Sequence, residues 1–178
     1  MDKLGHRKRY QVNSQVVFLQ KGQETVPPQI SRQFEIVKKV SDHRFSLSFD
    51  NLCLQLTDHH QPKLTPLIVD FAGGKHQHRR KFGGGKSQPI AKAVGLNKKR
   101  DLCILDATAG LGSDSFVMAS IGAKVTLCEQ HPVVQCLLED GLQRQHKKGL
   151  KYLLDDISDL EELVQKYLNK GMFRRMFT

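Results

Sequence analysis

Leu102-Cys-Ile-Leu-Asp106-Ala-Thr-Ala-Gly110-Leu-Gly112, running on through Ser113-Asp-Ser-Phe-Val-Met-Ala-Ser-Ile-Gly122 to Lys124-Val-Thr-Leu-Cys-Glu129, is the stretch whose reading decides the fold. Leu102 to Leu105 is a short apolar run of the kind that forms a parallel strand covered on both faces. Asp106 to Gly112 reads as a tight turn, and Asp114 to Ile121 as a helix closed by Gly122. Lys124 to Glu129 is the next strand. Pro132 opens a second helix, where its missing N–H costs nothing, and Val133, Val134, Leu137 and Leu138 give that helix an apolar stripe. Strand, glycine turn, helix, strand, helix is the pattern of an α/β sheet wound with crossover helices.

A glycine turn between strand and helix brings backbone N–H groups and a helix N-terminus up to a ligand. An acid ending the following strand can accept two ribose hydroxyls. Glu129 lies 17 positions beyond Gly112, close to the roughly 20 of the dinucleotide-binding fingerprint. That fingerprint needs a third glycine where this chain has Ser115, which argues against a nicotinamide cofactor. The strand ends instead in Asp106, four residues before Gly110. The resulting D-x-x-x-G-x-G is similar to the S-adenosylmethionine loop of class I methyltransferases.

Upstream, Lys75 to Arg100 holds nine Lys or Arg residues and no acid, in a chain whose formal net charge is +10. Gly73-Gly74 and Gly83-Gly-Gly85 in and beside that segment would let backbone approach a phosphate closely, which favours an RNA or DNA contact over a merely solvated loop. Gly83-Gly-Gly-Lys-Ser87 looks like the end of a Walker A loop. It lacks the first glycine, since Arg80 stands there, and no apolar strand leads into it. Further upstream, Phe45-Ser-Leu-Ser-Phe49 and Leu52-Cys-Leu-Gln-Leu56 alternate with period two around Asp50-Asn51. A two-residue turn there pairs Phe49 with Leu52, Leu47 with Leu54 and Phe45 with Leu56, so one face of a half-buried hairpin is apolar. Leu67 to Phe71 is a further candidate strand, and the first 40 residues, broken by Pro27-Pro28, read as a polar leader or edge.

At 178 residues the chain is one domain, or one with an appendage, and 39% hydrophobic with 26% charged residues fits a globular protein. No apolar run approaches the ~18 residues of a membrane helix, and no apolar core follows the basic start to make a secretory signal. The four cysteines form no CxxC pair, so a reducing compartment is the simplest reading. His76, His78, His59 and His60 lack a third ligand at suitable spacing and are expected to be loop histidines, with no metal.

Pro62-Lys-Leu64, Val69-Asp-Phe71, His78-Arg-Arg-Lys-Phe-Gly-Gly-Gly85, Ala91-Lys-Ala-Val-Gly95, Asp106 to Gly112 and Glu129-Gln-His-Pro132 together resemble the ribosomal RNA small subunit methyltransferase J family. The resemblance runs from about Phe45 to about Leu142. It implies a cytoplasmic class I enzyme that carries a methyl group from S-adenosyl-L-methionine to N2 of a guanine in 16S rRNA, with the small ribosomal subunit as partner. It also matches Ser113-Asp114 and Glu129-Gln130 to cofactor-contact positions, although the family often has Arg at 113 and at 130. Asp106, Gly110 and Gly112 would then shape the loop, Asp114 meet the methionine or ribose end, and Glu129 hold the ribose hydroxyls. Arg79, Arg80, Lys81 and Lys86 would contact RNA.

The expected fold is α/β, a class I methyltransferase (Rossmann-like) fold, incomplete, with a small N-terminal β hairpin unit. Its parts are a hairpin unit with polar leader at 1–74, a basic glycine-rich segment at 75–100 and the first half of the methyltransferase domain at 101–178. The family's Asp-Pro-Met-Phe-Pro-like motif has no counterpart, since no proline follows Pro132. No catalytic base is therefore nominated, the chain reads as truncated on its C-terminal side, and it is expected not to methylate guanine by itself. The rival reading is a non-catalytic RNA-binding module derived from such an enzyme.

If the four basic side chains contact phosphates, RNA affinity should fall with salt at a slope of roughly 0.7 per neutralised phosphate on single strands. Replacing Arg79, Arg80, Lys81 and Lys86 together by Gln should flatten that slope in a salt titration. An unchanged slope would show the segment to be a solvated surface.

Overall fold

The structure is a computed structural model that describes residues 15–71, 73, 85–99, 102–146 and 152–155. It divides into two units, Met1–Leu67 and Ile68–Thr178.

The first unit holds a four-stranded sheet made of β1 (Val16–Leu19), β2 (Glu35–Val37), β3 (Phe45–Asp50) and β4 (Cys53–Asp58), in the order β2-β1-β3-β4. β1 runs parallel to both β2 and β3, and β3 pairs antiparallel with β4. The stretch expected to be a polar leader thus supplies two strands and, between them, α1 (Pro28–Ser31), in which Pro28 takes the opening place that its missing N–H suits. The reason is local: Val16, Val17, Phe18 and Leu19 form a β-prone run, and Phe18 is fully buried.

The expected hairpin is present with its register shifted by two. Phe49 faces Leu54, Leu47 faces Leu56 and Asp50 faces Cys53, so the turn is Asn51-Leu52 rather than Asp50-Asn51. Both turn residues have positive φ, 47° at Asn51 and 64° at Leu52, as a type I′ turn demands. Asn tolerates that conformation, and Leu52 adopts it with its side chain 88% exposed. Because the slip is even, Leu47, Phe49, Leu54 and Leu56 still share one face, with Phe18 edge-on to Phe49 at 6.0 Å between ring centroids. The opposite face is not solvated as a half-buried hairpin would have it. Ser46 and Ser48 are buried there, and Ser46 Oγ lies 2.9 Å from His59 Nε2. His59 is exposed in the turn after β4, a loop histidine as expected, and this contact links it to the sheet. At the end of β4 the Arg44 guanidinium, bonded to Asp58 at 3.0 Å, holds that carboxyl below the usual carboxylate range.

The candidate strand Leu67–Phe71 is reduced to a single antiparallel bridge, in which Leu67 exchanges both backbone hydrogen bonds with Leu56. Two residues on, the Val69 carbonyl accepts from the Arg144 side chain.

In the second unit a 3-10 turn at Gly85–Ser87 leads into α2 (Pro89–Ala93). There follow β5 (Cys103–Asp106), α3 (Ser113–Ser120), β6 (Lys124–Cys128), α4 (Pro132–His146) and β7 (Tyr152–Asp155). The strands form a parallel sheet in the order β5-β6-β7. β6 is buried on both faces from Val125 to Cys128, as a strand flanked on either side must be. β7 was not anticipated. The run Tyr152-Leu-Leu-Asp155 is only four residues long, too short to tell a buried strand from a helix by period. Ser158-Asp-Leu-Glu161 resembles a capping box ahead of the apolar positions Leu160, Leu163, Val164, Tyr167 and Leu168, and the helix it predicts lies outside the described residues. Cys128 and Cys136 are core residues, and burial pushes the Cys136 thiol up to about 12, so it stays protonated at neutral pH. Among the described residues no helix is long and apolar enough to cross a membrane, and no group of three His, Cys, Asp or Glu is placed to hold a metal ion.

The left-handed leucine predicts its own remedy. Leu52→Gly should stabilise the first unit by about 0.5–1 kcal/mol, because Asn-Gly is the preferred type I′ pair and the replaced side chain is exposed. Urea denaturation of wild type and variant checks this, and a loss of stability would show that Leu52 has a contact its exposure conceals.

Candidate functional site

The expected loop residues converge at the C-terminal ends of β5 and β6, where parallel α/β sheets bind ligands. β5 delivers Asp106, and the chain then turns back over β6. Ala109 N–H donates to the Cys128 carbonyl at 2.9 Å, and Gly110 N–H donates to Glu129 Oε2 at 2.9 Å. The other oxygen of Glu129 accepts the His131 N–H at 2.7 Å, so one carboxylate ties the glycine loop to the start of the following segment. Gln130, between these two partners, is exposed.

Gly110 and Gly112 have φ of 54° and 74°. Only at Gly112 is space also decisive: a Cβ there would stand 2.6 Å from Leu138 Cδ1 and 3.1 Å from Phe71 Cζ. Gly112 is also the cap residue of α3, accepting the Phe116 N–H at 2.8 Å, and it offers no side chain to that helix's first N–H groups. An uncapped helix start with Asp114 in its first turn is open to hydrogen bonding from outside. Asp114 is exposed and Ser113 half-buried.

Asp106 is fixed on both oxygens. Thr108 N–H donates to Oδ1 at 3.2 Å, and the Ser115 hydroxyl donates to Oδ2. Ser115, 2% exposed, stands where a dinucleotide-binding loop has its third glycine. In the sequence Ser115 is only a departure from a pattern, whereas in the structure it has a partner nine positions back. A polar residue at an otherwise buried position of the first helical turn was the available signal.

Asp106, Thr108, Ser113 and Asp114 line one side of a cavity of about 280 Å³, and Ile90 and Val94 of the α2 region together with Met118 of α3 supply apolar wall. That is just under the ~300–1,000 Å³ of small-molecule pockets and suits one end of a ligand. Gly110, Gly112, Glu129 and Gln130 do not line it, so the expected cofactor residues form two adjoining groups joined by the loop. Lys86 lies in the 3-10 turn, and Arg79, Arg80 and Lys81 lie outside the described residues.

A family model described as "Putative SAM-dependent methyltransferase" matches residues 29–166. The chain belongs to this family. Within it, the chain is 60% identical over 102 residues to the ribosomal RNA small subunit methyltransferase J of Pseudoalteromonas translucida, covering 57% of this chain and 40% of that protein. It is 51% identical over 107 residues to the protein of the same name from Tolumonas auensis, covering 60% and 43%. The chain thus spans about two fifths of the length of the curated relatives it matches. Among solved structures, a SAM-dependent methyltransferase from Neisseria gonorrhoeae is 30% identical, with a TM-score of 0.63 over 85% of this chain and 64% of that one. The α/β fold of this family member, with its parallel β5-β6-β7 sheet, is accordingly that of a class I methyltransferase.

The two loop glycines separate conformation from space. Gly110→Ala meets no atom within 4 Å and should cost about 1 kcal/mol for its left-handed backbone. Gly112→Ala adds overpacking against Leu138 and Phe71 and should cost about 2–4 kcal/mol. Thermal unfolding of the pair checks the order, and equal losses would mean that the packing beneath the loop yields freely.

Proposed function

We propose that this chain binds S-adenosyl-L-methionine at the Asp106–Asp114 loop and Glu129, as part of a cytoplasmic methyltransferase acting on N2 of a guanine in 16S rRNA. The observation that carries the reading is the Glu129 carboxylate bonded to the Gly110 N–H, which sets an acid able to accept ribose hydroxyls beside the glycine turn. A carboxylate oxygen that already accepts one N–H retains a lone pair for a ribose hydroxyl, so the tie and the proposed contact are compatible. Asp106, fixed by Thr108 and Ser115, offers negative charge at the cavity mouth, where the cationic methionine end of the cofactor would be attracted. Asp114 adds a second carboxylate in the same wall, with Ser113 beside it and Gln130 beyond Glu129. The relatives named for small-subunit rRNA methylation support the substrate. The nine basic residues between Lys75 and Arg100 supply the counter-charge that an RNA requires.

For the transfer itself, the target base must leave its stack and present its amine in line with the methyl group. The described residues hold the donor side of that arrangement. Ile90 of α2 and Val94 just after it line the cavity, and the basic segment that precedes them in sequence would contact RNA phosphates.

The test is calorimetry with S-adenosylhomocysteine, paired with incubation of the chain with small subunits and labelled methyl donor. Binding by wild type that is weakened about 10-fold or more in Glu129→Ala is expected, since a lost hydrogen bond to a charged acceptor is worth roughly 1.5–3 kcal/mol. Equal binding by both proteins removes Glu129 from the site. Label at guanine N2 identifies a complete enzyme, whereas cofactor and RNA binding without label favours the binding-module reading.

A further inference from the structure

Phe71 is assigned no function by the sequence pattern, yet it touches both ends of the first turn of α3. Its ring stacks on Phe116, with centroids 4.7 Å apart and planes 13° from parallel, and its Cζ is the ring atom nearest the missing side chain of Gly112. Gly112 and Phe116 are themselves joined, because the Gly112 carbonyl accepts the Phe116 N–H. A rigid ring against both residues fixes the height and tilt of the turn that carries Ser113 and Asp114 into the cavity wall.

Phe71 is in turn held from behind. Arg144, bonded to Asp140 at 2.7 Å, donates from Nη2 to the Val69 carbonyl at 2.5 Å. Val69 presses on α4 at Gly141, where a Cβ would stand 2.5 Å from Val69 Cγ1 and 2.8 Å from the Val69 carbonyl oxygen. Glycine is a poor helix former, and here it clears the path for Val69. Residues 69–71 therefore form a wedge, anchored on α4 at one end and pressed beneath the glycine loop at the other. Glycine at 112 clears the Phe71 ring as well as Leu138, and glycine at 141 clears Val69.

We infer that Phe71 is a positioning residue for the glycine loop: its ring, anchored through Val69 on Gly141 and Arg144, sets the place of Gly112 and hence of the Ser113-Asp114 wall. Part of this rests on the cofactor reading above, because the purpose of the placement is ligand binding. The placement itself can be read without ligand.

The experiment uses the full chain with Phe71→Leu, which shortens the wedge, and Phe71→Tyr, which keeps the ring and core volume but adds an oxygen at the atom facing Gly112. Val125→Ala, in the buried middle of β6, is the control for general loss of core. Hydrogen exchange is followed at the Ala109, Gly110, Gly112 and Phe116 amides, all bonded in wild type, and S-adenosylhomocysteine affinity is measured in parallel. Both Phe71 variants are expected to speed exchange at these amides about 10-fold beyond the control and to weaken the ligand about 10-fold. Val125→Ala should lower the thermal midpoint while leaving loop exchange and affinity near wild type. Loop exchange in both Phe71 variants no faster than in the control overturns the inference and leaves Phe71 an ordinary core residue. If wild type binds no S-adenosylhomocysteine, the cofactor reading fails and the exchange comparison still decides the role of Phe71.

Discussion

The hydrogen bond from Gly110 N–H to the Glu129 carboxylate joins the end of one strand to the end of the next. It works only because a sharp turn after Asp106 brings the chain back over β6. That return needs positive φ at two positions and a bare Cα at Gly112, so the loop can lie directly on Leu138 and Phe71. Once the loop is closed, α3 starts at a fixed point, and Asp106, Thr108, Ser113 and Asp114 are drawn into one wall. The covered β6 strand, the placement of α3 and the shape of the cavity all follow from this closure.

Electrostatics reinforces the arrangement. Three carboxylates, Asp106, Asp114 and Glu129, stand in or beside one loop in a chain of net charge +10, and two of them have both oxygens engaged by hydrogen-bond donors. Donor bonds fix the plane of a carboxylate, so Asp106 and Glu129 are held in place rather than left to rotate in solvent. Nine of the 28 Lys and Arg residues, with no acid among them, are gathered in a different stretch, Lys75 to Arg100. That separation of sign suits the proposed pairing of a cationic small molecule with a polyanion.

The β5–α3–β6–α4 order was legible because glycine, proline and strand-length apolar runs punctuate it locally. Glu129 could be placed because its distance from the glycines is set by one helix and one strand. What escaped notice depends on contacts between residues far apart in sequence. The Ser115 tether to Asp106 and the seat of Phe71 beneath Gly112 leave no periodic trace. β7 is too short to show a period, and the N-terminal strands were obscured by polar neighbours and by Pro27-Pro28. The hairpin was recognised with its turn misplaced, since Asp50-Asn51 looks a better turn than Asn51-Leu52 until the β4 pairing is known.

That displaced turn separates two kinds of information carried by an alternating strand. Alternation encodes parity, which residues look inward, while the turn alone encodes which partner each residue meets. A change of turn length that slips β4 by two residues past β3 would exchange every cross-strand neighbour yet keep Leu54 and Leu56 on the face of Leu47 and Phe49. A slip of one would turn both leucines to the face of Ser46 and Ser48 and bring Gln55 and Thr57 to the other. The N-terminal sheet should therefore accept even slips of register across the 51–52 apex far more readily than odd ones.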